Sequence, residues 1–438
     1  MSKQIQIRSL AHDLLFRIDR DRAYADRLID ATIRRYTLSS QDAGFLTELT
    51  LGTCRWQLWL DAQLRPFLNR PIKNTTRGVR WALRLGAYEI LKMRTPSHAA
   101  VDEAVQLIRD KRQRGFVNAV LRKVAALDEP MKLDDWGAAY SHPKWLIDEA
   151  RTFIQTPAEV EAWLSANNQI ADTFIRLRDI ELNAVPESFG LSSVDTLACS
   201  AKLSSSPEML VESQLFQEGK LVIQDLASQL VVSLAPLEGK KRLWDVCAAP
   251  GSKTIQLADE RDDDATLIAT ELHPHRVTLL KEGLGRAGIQ DVDVLERDAS
   301  NPKNLSDSPF DVPFDLILLD APCSGLGTIQ RHPELKYVRP EASLEGLQRS
   351  LLTSAYEKLT PGGVLIYSLC TFREAETDAM VHWMLAEHTD LEVLEPQLPP
   401  DAPEHLVTTT REGHPCIRTW SHRDGCDSFF WVAFQRRI

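Results

Sequence analysis

The 438-residue sequence predicts a multidomain chain of three parts: an all-helical bundle over residues 1–126, a small mixed α/β element over 127–237, and a doubly wound α/β domain over 238–438. Three observations lead there. At about 150 residues per domain the length suits two or three cores. Apolar residues recur at helical spacing as far as Ala126, whereas from Leu243 onward short apolar runs alternate with helix-length segments.

In the first part, Val79, Leu83, Ala87, Ile90 and Leu91 form one helical stripe, and Phe45, Leu49, Trp56 and Leu60 form another. Breaks fall at Leu38-Ser39-Ser40, across 71–76 and at Thr95-Pro96-Ser97, where Ser and Thr can cap the next helix and Pro stops the one before. Six or seven helices fit. Trp56 and Trp81 are expected in the core rather than as platforms for stacked bases. The middle part is expected to hold a helical piece over 143–168, then extended stretches over 173–177, 209–211 and 221–224. Ser204-Ser205-Ser206-Pro207 is expected to be a surface loop. In the third part, the runs over 243–246, 267–270, 292–295, 314–319 and 364–369 have the continuous apolar character of buried parallel strands.

The composition, 43% hydrophobic and 26% charged, contains no apolar run near the ~18 residues of a membrane span. Lys3, Arg8, Asp13, Arg17, Asp19 and Arg20 interrupt the N-terminal segment, so it lacks the core of a signal peptide and a cytoplasmic location is expected. Seven cysteines, Cys54, Cys199, Cys247, Cys323, Cys370, Cys416 and Cys426, lack the paired short spacing of a zinc site. Reduced thiols and no metal are expected. Net charge is −11, which by itself argues against a nucleic-acid partner, but the average hides an asymmetry. Residues 1–125 carry 23 Lys and Arg against 12 Asp and Glu, a net +11 that leaves −22 for the rest. A basic module suited to a polyanion, or a set of solvated helix faces, would give the same count.

A doubly wound sheet binds its ligand outside the carboxyl ends of its strands, so the residues after each run carry the information. The first run leads into Asp245-Val246-Cys247-Ala248-Ala249-Pro250-Gly251-Ser252-Lys253-Thr254. Small residues let backbone approach a ligand, and the amides of the helix that follows favour an anionic group. The string is neither G-x-G-x-x-G nor a P-loop. Glu271, 20 residues beyond Gly251, stands where an acidic side chain takes ribose hydroxyls. Asp298 and Asp320 follow the third and fourth runs, Asp298 suited to an exocyclic amine. Cys323 and Cys370 lie past adjacent strands and should converge on one cleft. A redox pair is one account of two such thiols. A second suits cysteine better: cytosine carbon 5 becomes nucleophilic only when a thiolate adds at carbon 6, and a nearby base must later remove the carbon 5 proton.

The strings Cys247-Ala248-Ala249-Pro250-Gly251-Ser252-Lys253, Asp320-Ala321-Pro322-Cys323-Ser324 and Cys370-Thr371 resemble, in this order, the motifs of the Sun-type family of RNA 5-methylcytosine methyltransferases. Gln224-Asp225-Leu226-Ala227-Ser228-Gln229 and Arg331-His332-Pro333-Glu334 also match that family. Upstream, Pro96-Ser97-His98-Ala99-Ala100-Val101 and Arg114-Gly115-Phe116-Val117-Asn118-Ala119-Val120-Leu121-Arg122 resemble a NusB-type RNA-binding domain. The resemblance implies a Rossmann-like catalytic domain dependent on S-adenosyl-L-methionine, acting on small-subunit (16S) ribosomal RNA as a monomer without a metal or a membrane. It implies that Cys370 is the nucleophile and that Cys323 assists product release. Cys247, Ala248, Ala249, Pro250, Gly251, Ser252, Lys253, Glu271, Asp298 and Asp320 would hold the cofactor, Asp320 being placed also to touch the cytosine. Departures from the family pattern are Ser252 for Gly, Glu271 for Asp, Thr377 for Asn after Glu376, and Ser428 for Gly in Asp427-Ser428-Phe429-Phe430. A transfer RNA target, or an RNA-binding assembly protein without activity, are the alternatives.

Overall fold

The computed structural model describes residues 6–93, 95–204, 207–399 and 402–438. Ile5, where the helical periodicity begins, and Ser205 and Ser206 of the expected loop lie outside them. The chain divides into two compact units: residues 1–169 with 329–339, and residues 170–328 with 340–438.

The first unit is helical. It begins with α1 (Ile7–Asp21), α2 (Ala25–Tyr36), α3 (Ser40–Arg55), α4 (Gln57–Leu64), α5 (Arg77–Leu91), α6 (Ser97–Gln106) and α7 (Lys111–Ala125). It continues with α8 (Trp136–Ala139), α9 (Lys144–Ala150) and α10 (Pro157–Ala166). Helix α5 is its axis, because it feeds two apolar clusters at once. Val79, Leu83 and Ala87 pack with Leu60, Val117 and Leu121, while Trp81 and Leu85 pack with Leu15, Leu46 and Leu49. Buried charges on α5 are paired: Glu89 accepts from the Arg8 guanidinium at 2.7–3.0 Å, and Arg84 makes two 2.8 Å bonds to Asp61. Leaving either partner alone in this core would cost several kcal/mol, so the pairs fix how α1 and α4 meet α5.

Several expectations are corrected here. The second apolar stripe belongs to two helices, since α3 ends and α4 begins around Trp56. Ser39 caps α3 by accepting from the Asp42 amide, but α5 and α6 start without a side-chain cap. Trp81 is core as expected, whereas Trp56 is half-buried with the Lys92 ammonium 3.4 Å from its ring centre. The helical piece over 143–168 is two helices, α9 and α10, separated at 151–156.

Residues 329–339 complete this unit. Glu334 accepts from the Ala25 amide at 2.8 Å, placing a carboxylate at the positive end of α2. The fully buried Lys336 donates to Asn168 Oδ1 at 2.7 Å and to the Arg55 carbonyl. Tyr337 Oη reaches the Arg55 and Ser141 carbonyls, each at 3.2 Å. An apolar environment pushes Lys336 well below the ordinary lysine range.

The second unit holds two sheets. The smaller is antiparallel, in the order β2-β3-β1-β4, from β1 (Thr173–Leu177), β2 (Leu191–Ser193), β3 (Ser200–Leu203) and β4 (Leu221–Ile223). β1 and β4 answer the expected stretches, but residues 209–211 lie in the helix Pro207–Val211. A three-residue apolar run carries no period, and Pro at the first position suits a helix start. The short, Ser-rich β2 and β3 had no alternation to reveal them.

The larger sheet contains β5 (Arg242–Asp245), β6 (Thr266–Glu271), β7 (Val292–Glu296), β8 (Phe314–Asp320), β9 (Leu359–Leu369), β10 (Leu391–Val393), β11 (Val407–Thr409), β12 (Pro415–Arg418) and β13 (Phe430–Arg436). Its order is β11-β12-β13-β9-β8-β5-β6-β7, with β10 beside β13. The run β9-β8-β5-β6-β7 is parallel, while β13 joins β9 antiparallel. Alternate residues of β8 serve opposite faces. Ile317 and Leu319 pack with Leu352 and Met384, and Leu316 and Leu318 with Leu230 and Leu257. Helices therefore cover both faces, which is why the strands read as unbroken apolar runs. The chain leaves β5 toward β6 on one side and returns to β8 on the other, a topological switch point above β5. Among the described residues, no helix is long and apolar enough to cross a membrane.

Two buried carboxyls make stability depend on pH. Burial raises Asp245 and Glu334 each to about 7. Between about pH 4 and 7 the unfolded chain ionises these groups and the folded chain does not, so stability falls as pH rises. Asp245→Asn and Glu334→Gln should each shrink the loss of urea midpoint between pH 5 and pH 8. An unchanged loss in both variants would contradict this assignment.

Candidate active site

The carboxyl edge of the parallel strands gathers the residues singled out by sequence. Beyond β5, the chain turns through Cys247, Ala248, Ala249, Pro250 and Gly251 into the helix Ser252–Glu260. Gly251 has φ +113°, a backbone angle that requires glycine, and a Cβ there would also press on Leu280 Cδ1 at 2.7 Å. The helix has no side-chain cap, which leaves its first-turn amides for an anionic ligand. Below the turn, Asp245 is held by Thr254 Oγ1 at 2.7 Å, and Ala248 N donates to the Thr270 carbonyl. Burial pushes the Cys247 thiol far up, which removes it as a nucleophile.

Glu271 closes β6 and is 3% exposed. Its Oε1 accepts from the His273 amide at 3.0 Å, and its Oε2 lies 3.4 Å from Arg276. Arg276 also donates to the Ala249 carbonyl, tying this strand end to the first turn. Asp298, past β7, is half-buried and bonded locally to the amide and hydroxyl of Ser300. Asp320 sits between two partners: Lys253 Nζ at 2.9 Å on Oδ2 and Ser368 Oγ at 2.7 Å on Oδ1. The Lys253 ammonium also lies 5.2 Å from the centre of the Phe429 ring.

The two cysteines meet. Cys323 Sγ and Cys370 Sγ are 3.3 Å apart and both thiols are free. The hydrogen bond to Cys370, followed by burial, pushes the Cys323 thiol well above its ordinary range. Either sulfur can donate in this contact. Beside them, Ser324 Oγ and Thr371 Oγ1 are 2.9 Å apart. Gly327 threads a narrow gap: it donates to the Cys370 carbonyl and accepts from Ser428 N, and a Cβ there would lie 1.8 Å from the Ser428 carbonyl oxygen.

Sequence reasoning passed over several residues of this edge. Arg276 and Gln348 belong to no motif, and each acts by reaching another strand or loop. The departures from the family pattern are accommodated. Thr377 Oγ1 donates to the Arg373 carbonyl, and Ser428 Oγ accepts from Ser421 N.

Comparison with known proteins agrees with this architecture. Residues 231–435 match the model of the 16S rRNA methyltransferase RsmB/F family, and residues 5–126 match the NusB family. The chain is 30% identical to the probable ribosomal RNA small subunit methyltransferase B of Synechocystis sp., over 88% of this chain and 90% of that one. Identity to a putative methyltransferase, MT1451, of Mycobacterium tuberculosis is 31% over 98% and 96%. Among solved structures, PH0851 superposes over 100% of both chains with a TM-score of 0.78 at 23% identity. NSun6 from Pyrococcus horikoshii covers 68% of this chain and 98% of its own with a TM-score of 0.57 at 18% identity, a likeness of fold. By these matches, with relatives that cover 88% and 98% of it, the chain belongs to the RsmB/F family of 16S rRNA methyltransferases, with a NusB-family domain at its N-terminal end.

Proposed function

We propose that this protein transfers a methyl group from S-adenosyl-L-methionine to carbon 5 of a cytosine in 16S ribosomal RNA, through a covalent bond between Cys370 and the base. The observation that carries this reading is the pair of free thiols 3.3 Å apart, one past each of two adjacent strands. Relatives named ribosomal RNA small subunit methyltransferase B support the choice of RNA.

The residues fit the cofactor. The uncapped amides at the start of Ser252–Glu260 suit its carboxylate, Glu271 its ribose hydroxyls, and Asp298 its adenine amine. The turn formed by Cys247, Ala248, Ala249, Pro250 and Gly251 lets backbone approach closely, with Ser252, Lys253 and Asp320 beyond it. Bound there, the cofactor supplies an electrophilic methyl group.

The thiols carry the rest. As a thiolate, Cys370 Sγ, 3.3 Å from Cys323 Sγ, is the attacking sulfur. It forms a bond to carbon 6, which gives carbon 5 the electron density it needs. Cys323 then loses its proton to solvent and takes the proton of the methylated carbon 5. The carbon 5–carbon 6 double bond re-forms and the bond to Cys370 Sγ breaks. The departing thiolate regains its hydrogen bond from Cys323, and the pair returns to its starting state with one proton released overall. Lys253, paired with Asp320, balances a carboxylate placed beside the ring.

The helical unit, with its basic first 125 residues, would hold RNA by its phosphates. Unstacking a target base costs a few kcal/mol, which favours a cytosine in a loop or an open site.

Cys370→Ala is expected to abolish methyl transfer while cofactor binding persists, and Cys323→Ala to accumulate a protein–RNA adduct on denaturing electrophoresis. Turnover by Cys370→Ala, or clean release by Cys323→Ala, would overturn the assignment. RNA affinity should fall steeply with salt, with a log–log slope of about −0.7 to −0.9 per phosphate contact. A flat dependence would remove the phosphate-gripping role.

A further inference from the structure

We propose that Glu376 is the positioning residue for Cys323: with Gln348 it holds the peptide groups on both sides of that cysteine and so sets the pace of product release. The inference rests on the covalent reading above and adds a residue that acts through Cys323 rather than on the base.

The geometry is specific to Cys323. Glu376 Oε2 accepts from the amide of Ser324, the residue after it, at 2.9 Å. Gln348 Nε2 donates to the carbonyl of Pro322, the residue before it, at 3.0 Å, and to Glu376 Oε2 at the same distance. One carboxylate and one amide thus fix the peptide units that bracket the thiol. Glu376 and Gln348 are both 0% exposed, so neither bond competes with water.

Glu376 is itself held from the Cys370 side. Its carbonyl accepts from Tyr367 Oη, on β9, at 3.0 Å. Its Oε1 lies 3.7 Å from the Arg373 guanidinium, which also reaches Glu345 at 2.8 Å. A buried carboxylate with only a distant ion pair on one oxygen is costly unless the structure uses it. Its use here is to join the loop after β8 to the loop after β9, across the gap that the sulfur atoms span. Misplacing a reacting group by about 1 Å can cost about 100-fold in rate, and a Cys323 loop freed of both bonds would shift its sulfur on that scale.

The test is a single-turnover and steady-state comparison of Glu376→Ala, Glu376→Gln, Cys323→Ala and the unmodified protein, using small-subunit ribosomal RNA and S-adenosyl-L-methionine. Glu376→Ala should methylate RNA in the first turnover, retain the adduct about tenfold longer, and lower kcat by about the same factor. Glu376→Gln, which keeps an oxygen for the Ser324 amide, should restore most of the release rate. If Glu376→Ala does not fold, as judged by thermal unfolding and cofactor binding, Gln348→Leu carries the same adduct readout. An adduct that persists in Cys323→Ala but in neither Glu376→Ala nor Gln348→Leu would overturn the positioning role. Absence of the adduct from Cys323→Ala as well would instead overturn the covalent reading on which it rests.

Discussion

β8 and β9 run side by side in a register that pairs Leu319 with Tyr367 and Asp320 with Ser368. Parallel strands in register end at the same level, so the loops that follow must share one edge of the sheet. Ser368 then reaches Asp320, Thr371 reaches Ser324, and the thiols of Cys370 and Cys323 come to 3.3 Å. A slip of one residue would turn Ser368 and Asp320 to opposite faces and separate these partners. The register is protected because both faces are buried. Tyr367 and Leu365 lie in one apolar cluster and Ile366 and Val364 in the other, so a slipped β9 would have to exchange them.

On this frame the edge concentrates negative charge. Asp245, Glu271, Asp298 and Asp320 follow or close four strands, and Lys253 pairs with Asp320 while Arg276 lies 3.4 Å from Glu271. Burial raises Asp245 to about 7, while Asp320 is held by Lys253 and Ser368. The arrangement suits a ligand that is itself cationic at sulfur and carries hydroxyls and an amine. The positive excess of the chain lies instead within residues 1–125.

Much of this was legible before any coordinates. β5, β6, β8 and β9 announce themselves as apolar runs because helices cover both their faces, whereas the edge strand β7 is only partly buried and carries Asp293 and Glu296; the candidate site residues stand at strand ends, where α/β sheets bind ligands. Other features were hidden for identifiable reasons. β10, β11 and β12 are only three or four residues long, too short to show alternation or a run, whereas β13 carries the continuous apolar run from Phe430 to Phe434 and was legible but passed over. The three apolar residues over 209–211 suit strand and helix equally. Residues 329–339 serve the helical unit through Glu334, Lys336 and Tyr337, which pair with residues more than 150 positions away. Gln348 sits in mid-helix with no motif around it, and only the folded chain places it against Pro322 and Glu376.

The covalent step admits one direct measurement. Ribosomal RNA carrying 5-fluorocytosine cannot release fluorine as a proton is released, so a thiol that has attacked carbon 6 stays bound after methylation. Mass spectrometry of the digested complex should find the methylated nucleotide on the peptide containing Cys370. Finding it on Cys323, or finding methylated RNA with no nucleotide attached to either cysteine, would contradict the account.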